Sequence, residues 1–130
     1  MATSFRNAHF ELVVDERRRV VKLVRSEEPF HGVGEMISVL DEIFAAVEGV
    51  DGKEYGLVVD NRKGPIRDEP AFQKAFRSFR VRLDERFARV GVVLGSEESI
   101  RRLEEVGPSP NVRAYIDEVS ALRWAAEGRE

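Results

Sequence analysis

Apolar residues along this chain follow two alternating rhythms. From His9 to Val14, Phe10, Leu12 and Val14 occupy every second position, the period of a half-buried strand. The charged stretch Asp15-Glu16-Arg17-Arg18-Arg19 follows, and Val20-Val21-Lys22-Leu23-Val24 reads as a second strand. Two strands with a short connection predict an antiparallel hairpin at the start of a sheet. From about Gly32 to Val47 the period lengthens. Met36, Ile37, Leu40, Phe44 and Val47 recur at helical steps and predict one core-facing stripe, with Glu35, Asp41, Glu42 and Glu48 outside it. Gly49 closes that helix.

The centre of the chain is Gly56-Leu57-Val58-Val59-Asp60, an apolar run that reads as a strand buried on both faces. It delivers the polar loop Asn61 to Asp68 to one edge of the sheet. A helix is expected from about Glu69 to Glu85, with Asp68 as its N-cap and Pro70 in its first turn. Phe72, Phe76, Phe79 and Leu83 form one face of it, the pattern of a core stripe, and Lys74, Arg77, Arg80, Arg82 and Arg86 are expected on the opposite face. Ala88 to Leu94 is another buried strand, and Ser96 caps a short helix with Ile100 and Leu103 inward. Gly107-Pro108-Ser109-Pro110 stops it. Val112 to Ile116 is the last strand, and Asp117 opens a final helix carrying Val119, Ala121, Leu122, Trp124 and Ala125. The order ββ-α-β-α-β-α-β-α predicts a single α/β domain over residues 1–130. Its sheet is mixed but mainly parallel, with about five strands and four helices.

Charge changes this picture in one place. The whole chain carries a net −3, which gives no reason to expect nucleic acid as a partner. Yet residues 62–89 hold nine Lys or Arg against four acids, a local +5 where the remainder is −8. That asymmetry reads either as a solvated helix face paired to the acidic first helix, or as a basic patch for an acidic protein, a phosphate or an anionic lipid. The absence of cysteine removes disulfides and thiolate chemistry and fits a cytoplasmic setting. No apolar run approaches the length of a membrane helix, and the first residues lack the apolar stretch of a signal peptide.

Candidate chemistry is sparse. His9 and His31 have no ligand-type neighbour at metal-binding spacing, and both read as solvent-exposed or simple hydrogen-bonding residues. Pro29-Phe30-His31-Gly32-Val33-Gly34 carries two glycines before a helix but lacks the Lys-Ser/Thr of a phosphate loop, so it reads as a plain connection. Asp60 ends a strand where α/β sheets often place catalytic acids, but no second carboxylate is near it in sequence. No cofactor is implied.

Phe87-Ala88-Arg89-Val90-Gly91-Val92-Val93-Leu94-Gly95 and Arg113-Ala114-Tyr115-Ile116-Asp117-Glu118, followed by Ala121-Leu122-Arg123-Trp124, resemble the SpoIIAA-like (STAS-like) proteins. The element order and the strand-ending Asp60 are similar too. The resemblance implies that fold over nearly the whole chain. Its better-known members are anti-sigma-factor antagonists, switched by phosphorylation of an Asp-Ser-Ser-Gly motif that opens a helix. The corresponding residues are Asp68-Glu69-Pro70-Ala71, which keep the Asp and lack both hydroxyls and the glycine. Phosphorylation of this loop is therefore not the expected control.

The leading expectation is a non-catalytic regulatory module that holds a protein partner. Its contact residues would be Asp60, Asn61, Arg62, Lys63, Asp68 and Glu69 in the loop, with Arg77 and Arg80 on the next helix. The alternative is a small-ligand or lipid binder with a pocket lined by Phe72, Phe76 or Phe79 that core packing leaves unfilled. An enzyme using Asp60 with Arg62 or Lys63 ranks third. A homodimer through an exposed sheet edge or the hairpin is compatible with the pattern, which specifies no register for it.

Overall fold

Six strands form one sheet whose spatial order, β1-β2-β3-β4-β5-β6, is also the order of the chain. The structure, a computed structural model, describes residues 2–65, 69–106 and 109–128. Strands β1 (Ala2–Arg6), β2 (Phe10–Asp15) and β3 (Val20–Arg25) form an antiparallel meander. β4 (Gly56–Asp60), β5 (Val90–Val93) and β6 (Val112–Tyr115) then add in parallel. The helices are α1 (Val33–Val47), α2 (Pro70–Arg86), α3 (Glu97–Val106) and α4 (Glu118–Glu127).

β1 is the strand that sequence periodicity misses. Ala-Thr-Ser-Phe-Arg has little alternation of its own, and it pairs through its backbone with β2, where the register slips between Thr3 and Phe5. An edge strand needs only one partner and few apolar side chains, so composition alone does not announce it.

Alternation along β2 and β3 decides which face is buried. Phe10, Leu12, Val21 and Leu23 join Leu57, Val59, Val90 and Val92 beneath α1 and α2 in the main core. Val20, Val58 and Val93 point the other way and meet Ala121 and Ala125 of α4. β4 is buried along its whole length because helices cover it on both sides. The inward face of α1 is Met36, Val39, Leu40, Ile43 and Val47. Ile37, expected inward, is exposed: it sits about 100° around the helix from Met36, beyond the edge of the buried stripe. Val119 is likewise exposed, and only the two alanines of α4 are fully buried.

Small residues set how closely α4 lies on the sheet. A Cβ added at Gly56 would stand 2.0 Å from the carbonyl oxygen of Ala125, and one at Gly91 2.6 Å from that of Ala121. Two glycines under two alanines bring helix backbone directly onto strand backbone.

Because the strand order never reverses, the parallel half has no topological switch point. The usual crevice between diverging crossovers is therefore missing. Any site at the carboxyl edge must be built without such a crevice.

Candidate functional site

Asp60, the last residue of β4, is buried. Its side chain points to the α4 side, as the alternation from Val58 requires. The guanidinium of Arg62 donates from Nε to Oδ1 at 3.0 Å and from Nη2 to Oδ2 at 2.7 Å, and the Arg62 backbone N–H donates to Oδ1 at 3.2 Å. Burial pushes the Asp60 carboxyl up, but the Arg62 hydrogen bonds and charge outweigh it and hold the group below the usual carboxylate range. Glu118, opening α4, lies 3.6 Å from Arg62 Nη2 and also pairs with Lys22 of β3. The four residues make an ion-pair chain that ties the end of β4 to α4.

The basic segment is also used internally. Arg86 reaches the carboxyl end of α1, donating to the carbonyl oxygens of Val47 at 3.2 Å, Val50 at 3.1 Å and Glu48. Arg89 does the same for α4, donating to Ala125 at 3.3 Å and Ala126 at 3.2 Å. Helix carboxyl ends carry partial negative charge and unpaired carbonyls, which a guanidinium satisfies. Arg82 lies 4.1 Å over the ring of Phe44. Arg80, expected on an exposed docking face, is largely buried, with Nη2 3.9 Å from Asp84. α2 packs against α1 along a wide face, so only part of its surface is left to solvent.

The predicted contact residues therefore separate. Asp60 is buried and Arg80 largely so. Arg62 and Lys63 are exposed in the loop, Asn61 is half-buried, and Arg77 is exposed on α2. Glu69, not Asp68, is the N-cap of α2, and its side chain makes no capping hydrogen bond. Asp68 lies outside the described residues.

What the carboxyl edge does hold is a cleft of about 400 Å³ on the α1/α2 side, over the ends of β3, β4 and β5. Phe30, Met36, Phe72 and Phe76 give it apolar walls; Arg25, Asn61, Gln73, Ser96 and Ser99 bring polar groups. Phe79, deeper in the helix stripe, belongs to the core and sits edge-on to Phe44 at 6.4 Å. Polar and apolar groups share this lining, in a volume within the usual range of small-molecule sites.

Arg25 is the residue that the sequence reading passed over. It ends β3 on the same face as Val21 and Leu23 and is only 5% exposed. Its guanidinium lies 4.5 Å over Phe30 and 5.4 Å over Phe10. His9 stacks on Phe30 at 4.5 Å and is also buried. Of the two settings expected for it, solvent-exposed or hydrogen-bonding, it takes the second, with Nε2 3.3 Å from the Pro29 carbonyl oxygen. Arg25 Nη1 donates to the carbonyl oxygens of Ser26 at 2.8 Å and His9 at 3.3 Å. Burial lowers its proton affinity, and Glu28 offsets only part of that. A signal was present: strict alternation puts position 25 on the core face of β3, where a charge is out of place.

Among the described residues, no cluster of His, Cys, Asp or Glu could hold a metal ion. No described helix is long and apolar enough to cross a membrane.

No protein-family profile matches the sequence, and no curated protein does. Among solved structures, the chain is similar to an uncharacterized DUF3478-family protein with a SpoIIAA-like fold from Shewanella loihica PV-4. That match has a TM-score of 0.63 over 93% of this chain and 98% of the other, at 13% identity. At that identity the likeness speaks for architecture, and it agrees with the element order and the hairpin start: this chain has a SpoIIAA-like α/β fold.

Proposed function

We propose that this chain is a non-catalytic binding domain that takes a small ligand in the carboxyl-edge cleft. The observation that carries the reading is the cleft itself: about 400 Å³ between Phe30, Phe72 and Phe76 that the described side chains leave unfilled. Elsewhere the core closes fully over the strands, with Leu23, Leu57, Val90 and Leu83 wholly buried. Interiors pack to crystal-like density, so an open apolar-walled space of this size is a feature of the site and not of the core. A protein-docking role for the same edge would have to do without Asp60 and the largely buried Arg80, and would rest on Arg62, Lys63, Glu69 and Arg77 with the half-buried Asn61.

The test is native mass spectrometry of the purified protein together with a thermal-shift screen of small metabolites. Gly95→Trp serves as the blocked control, because Gly95 lines the cleft and a Cβ there meets only the Arg62 carbonyl oxygen, at 3.6 Å. Co-purification of a small molecule, or stabilisation by one, that Gly95→Trp abolishes supports the reading. No bound or stabilising molecule, or one that Gly95→Trp leaves unaffected, overturns it.

A further inference from the structure

We propose that the cleft ligand is a small monocarboxylate with an apolar body, its carboxylate gripped by Arg25. This rests on the cleft being a ligand site and adds the chemistry of what enters it. Arg25 is the one buried polar residue in the lining among the described residues. None of the described carboxylates lies within ion-pair distance of its guanidinium.

Its hydrogen bonds divide the group into two edges. Nη1 is committed to the Ser26 and His9 carbonyls. The edge formed by Nε and Nη2 has no acceptor among the described residues. That edge presents two parallel N–H groups, the fork that fits both oxygens of a carboxylate. A buried charge is retained at a cost unless something completes its partners, and an incoming anion would do so. Phe10 and Phe30 fix the guanidinium plane from the face, so the fork is oriented before any ligand arrives. Gly64 closes over it: a Cβ there would sit 2.9 Å from Arg25 Cγ and 2.9 Å from Asn61 Oδ1.

The rest of the lining sets the class. Arg62, the other cation of the lining among the described residues, is already neutralised by Asp60, so these residues offer one uncompensated charge. One charge suits a monoanion. Phe30, Met36, Phe72 and Phe76 supply the apolar contact that a fully polar acid would waste.

The experiment is calorimetric titration of octanoate, octanamide and inorganic phosphate into the native protein, Arg25→Gln and Gly95→Trp. Octanoate is expected to bind the native protein at least about tenfold more tightly than octanamide, the usual worth of a hydrogen bond to a charged group. Arg25→Gln should abolish that preference, and Gly95→Trp should abolish binding of both. Equal affinity for acid and amide overturns the carboxylate class while leaving the cleft a ligand site. So does phosphate binding as tightly as octanoate, and a preference that survives Arg25→Gln removes Arg25 as the anchor. Octanoate binding that Gly95→Trp does not disturb overturns the cleft assignment itself. Should Arg25→Gln not fold, the acid–amide comparison on the native protein decides.

Discussion

The carboxylate of Asp60 and the guanidinium of Arg62, two residues apart, meet in a two-point contact of 3.0 and 2.7 Å across the turn that ends β4. Asp60 is buried and Arg62 is 42% exposed at its side chain, so solvent screens one half of the pair. A charged hydrogen bond is worth about 1.5–3 kcal/mol, and exposure of one partner lowers that toward about 1 kcal/mol.

Asp60→Asn should therefore lose roughly 1 kcal/mol at neutral pH. The folded carboxyl titrates below its ordinary value, so its contribution is complete above the unfolded pKa of about 3.9 and fades as pH falls through the folded value. Urea midpoints of native and Asp60→Asn protein should converge below about pH 4. A gap that stays constant down to acid pH would remove the ion pair as its source.

Arg86 and Arg77 stand on the same helix and should behave differently. Arg86→Met takes the guanidinium from the carbonyls of Val47, Glu48 and Val50, of which Val47 keeps the Val50 N–H, and should cost about 1–2 kcal/mol. Arg77→Met touches an exposed position and should stay within about 0.5 kcal/mol of native. Equal effects in chemical denaturation would mean that the arginines of this segment act only through the general charge of the surface.

That contrast shows where the sequence was legible and where it was not. Period and turn chemistry located the hairpin, the parallel strands and all four helices, because each element's apolar spacing is local. Ser96 caps α3 as expected, accepting from the Ser99 N–H at 3.1 Å. The destinations of long side chains are not local. Arg86 and Arg89 lie 39 and 36 residues from the carbonyls they satisfy at Val47 and Ala125, and no spacing rule announces such pairs. In the sequence both only add to the basic segment 62–89, which reads either as a solvated face or as a docking patch. The cleft was partly legible, in that Phe72 and Phe76 were candidates for an unfilled pocket. Its cation was not, although the alternation of Val21, Leu23 and Arg25 contained the clue.

The close approach of α4 to the sheet gives a steric prediction. Gly56→Ala would force a Cβ to 2.0 Å from the Ala125 carbonyl oxygen, backbone that cannot step aside without moving the helix. Overpacking of this kind costs about 1–3 kcal/mol or more. Gly49→Ala, with nothing within 4 Å of the added carbon, should leave the melting temperature nearly unchanged. Comparable melting temperatures for the two variants would show that α4 does not depend on that glycine contact.

Arg80 and Asp84, one turn apart on α2, are a buried pair with incomplete partners. Their closest approach is 3.9 Å, and both Arg80 Nε and Asp84 Oδ1 are buried without a hydrogen bond among the described residues. Burial pushes the Asp84 carboxyl above the usual range; Arg80 pulls it back in part, and neighbouring Glu85 pushes it further up. An acid with a raised folded pKa stabilises the fold below its unfolded pKa of about 3.9, and that contribution is lost as pH rises through the folded value. Replacing both charges by apolar residues of similar volume is often neutral or stabilising by about 1–4 kcal/mol, whereas removing one leaves the other charge buried alone. Arg80→Met/Asp84→Leu should be at least as stable as native at pH 7, and Arg80→Met alone should lose about 3 kcal/mol. Denaturant titration of the native protein and the two variants decides it: a double variant less stable than the native protein would mean that the pair is a net source of stability.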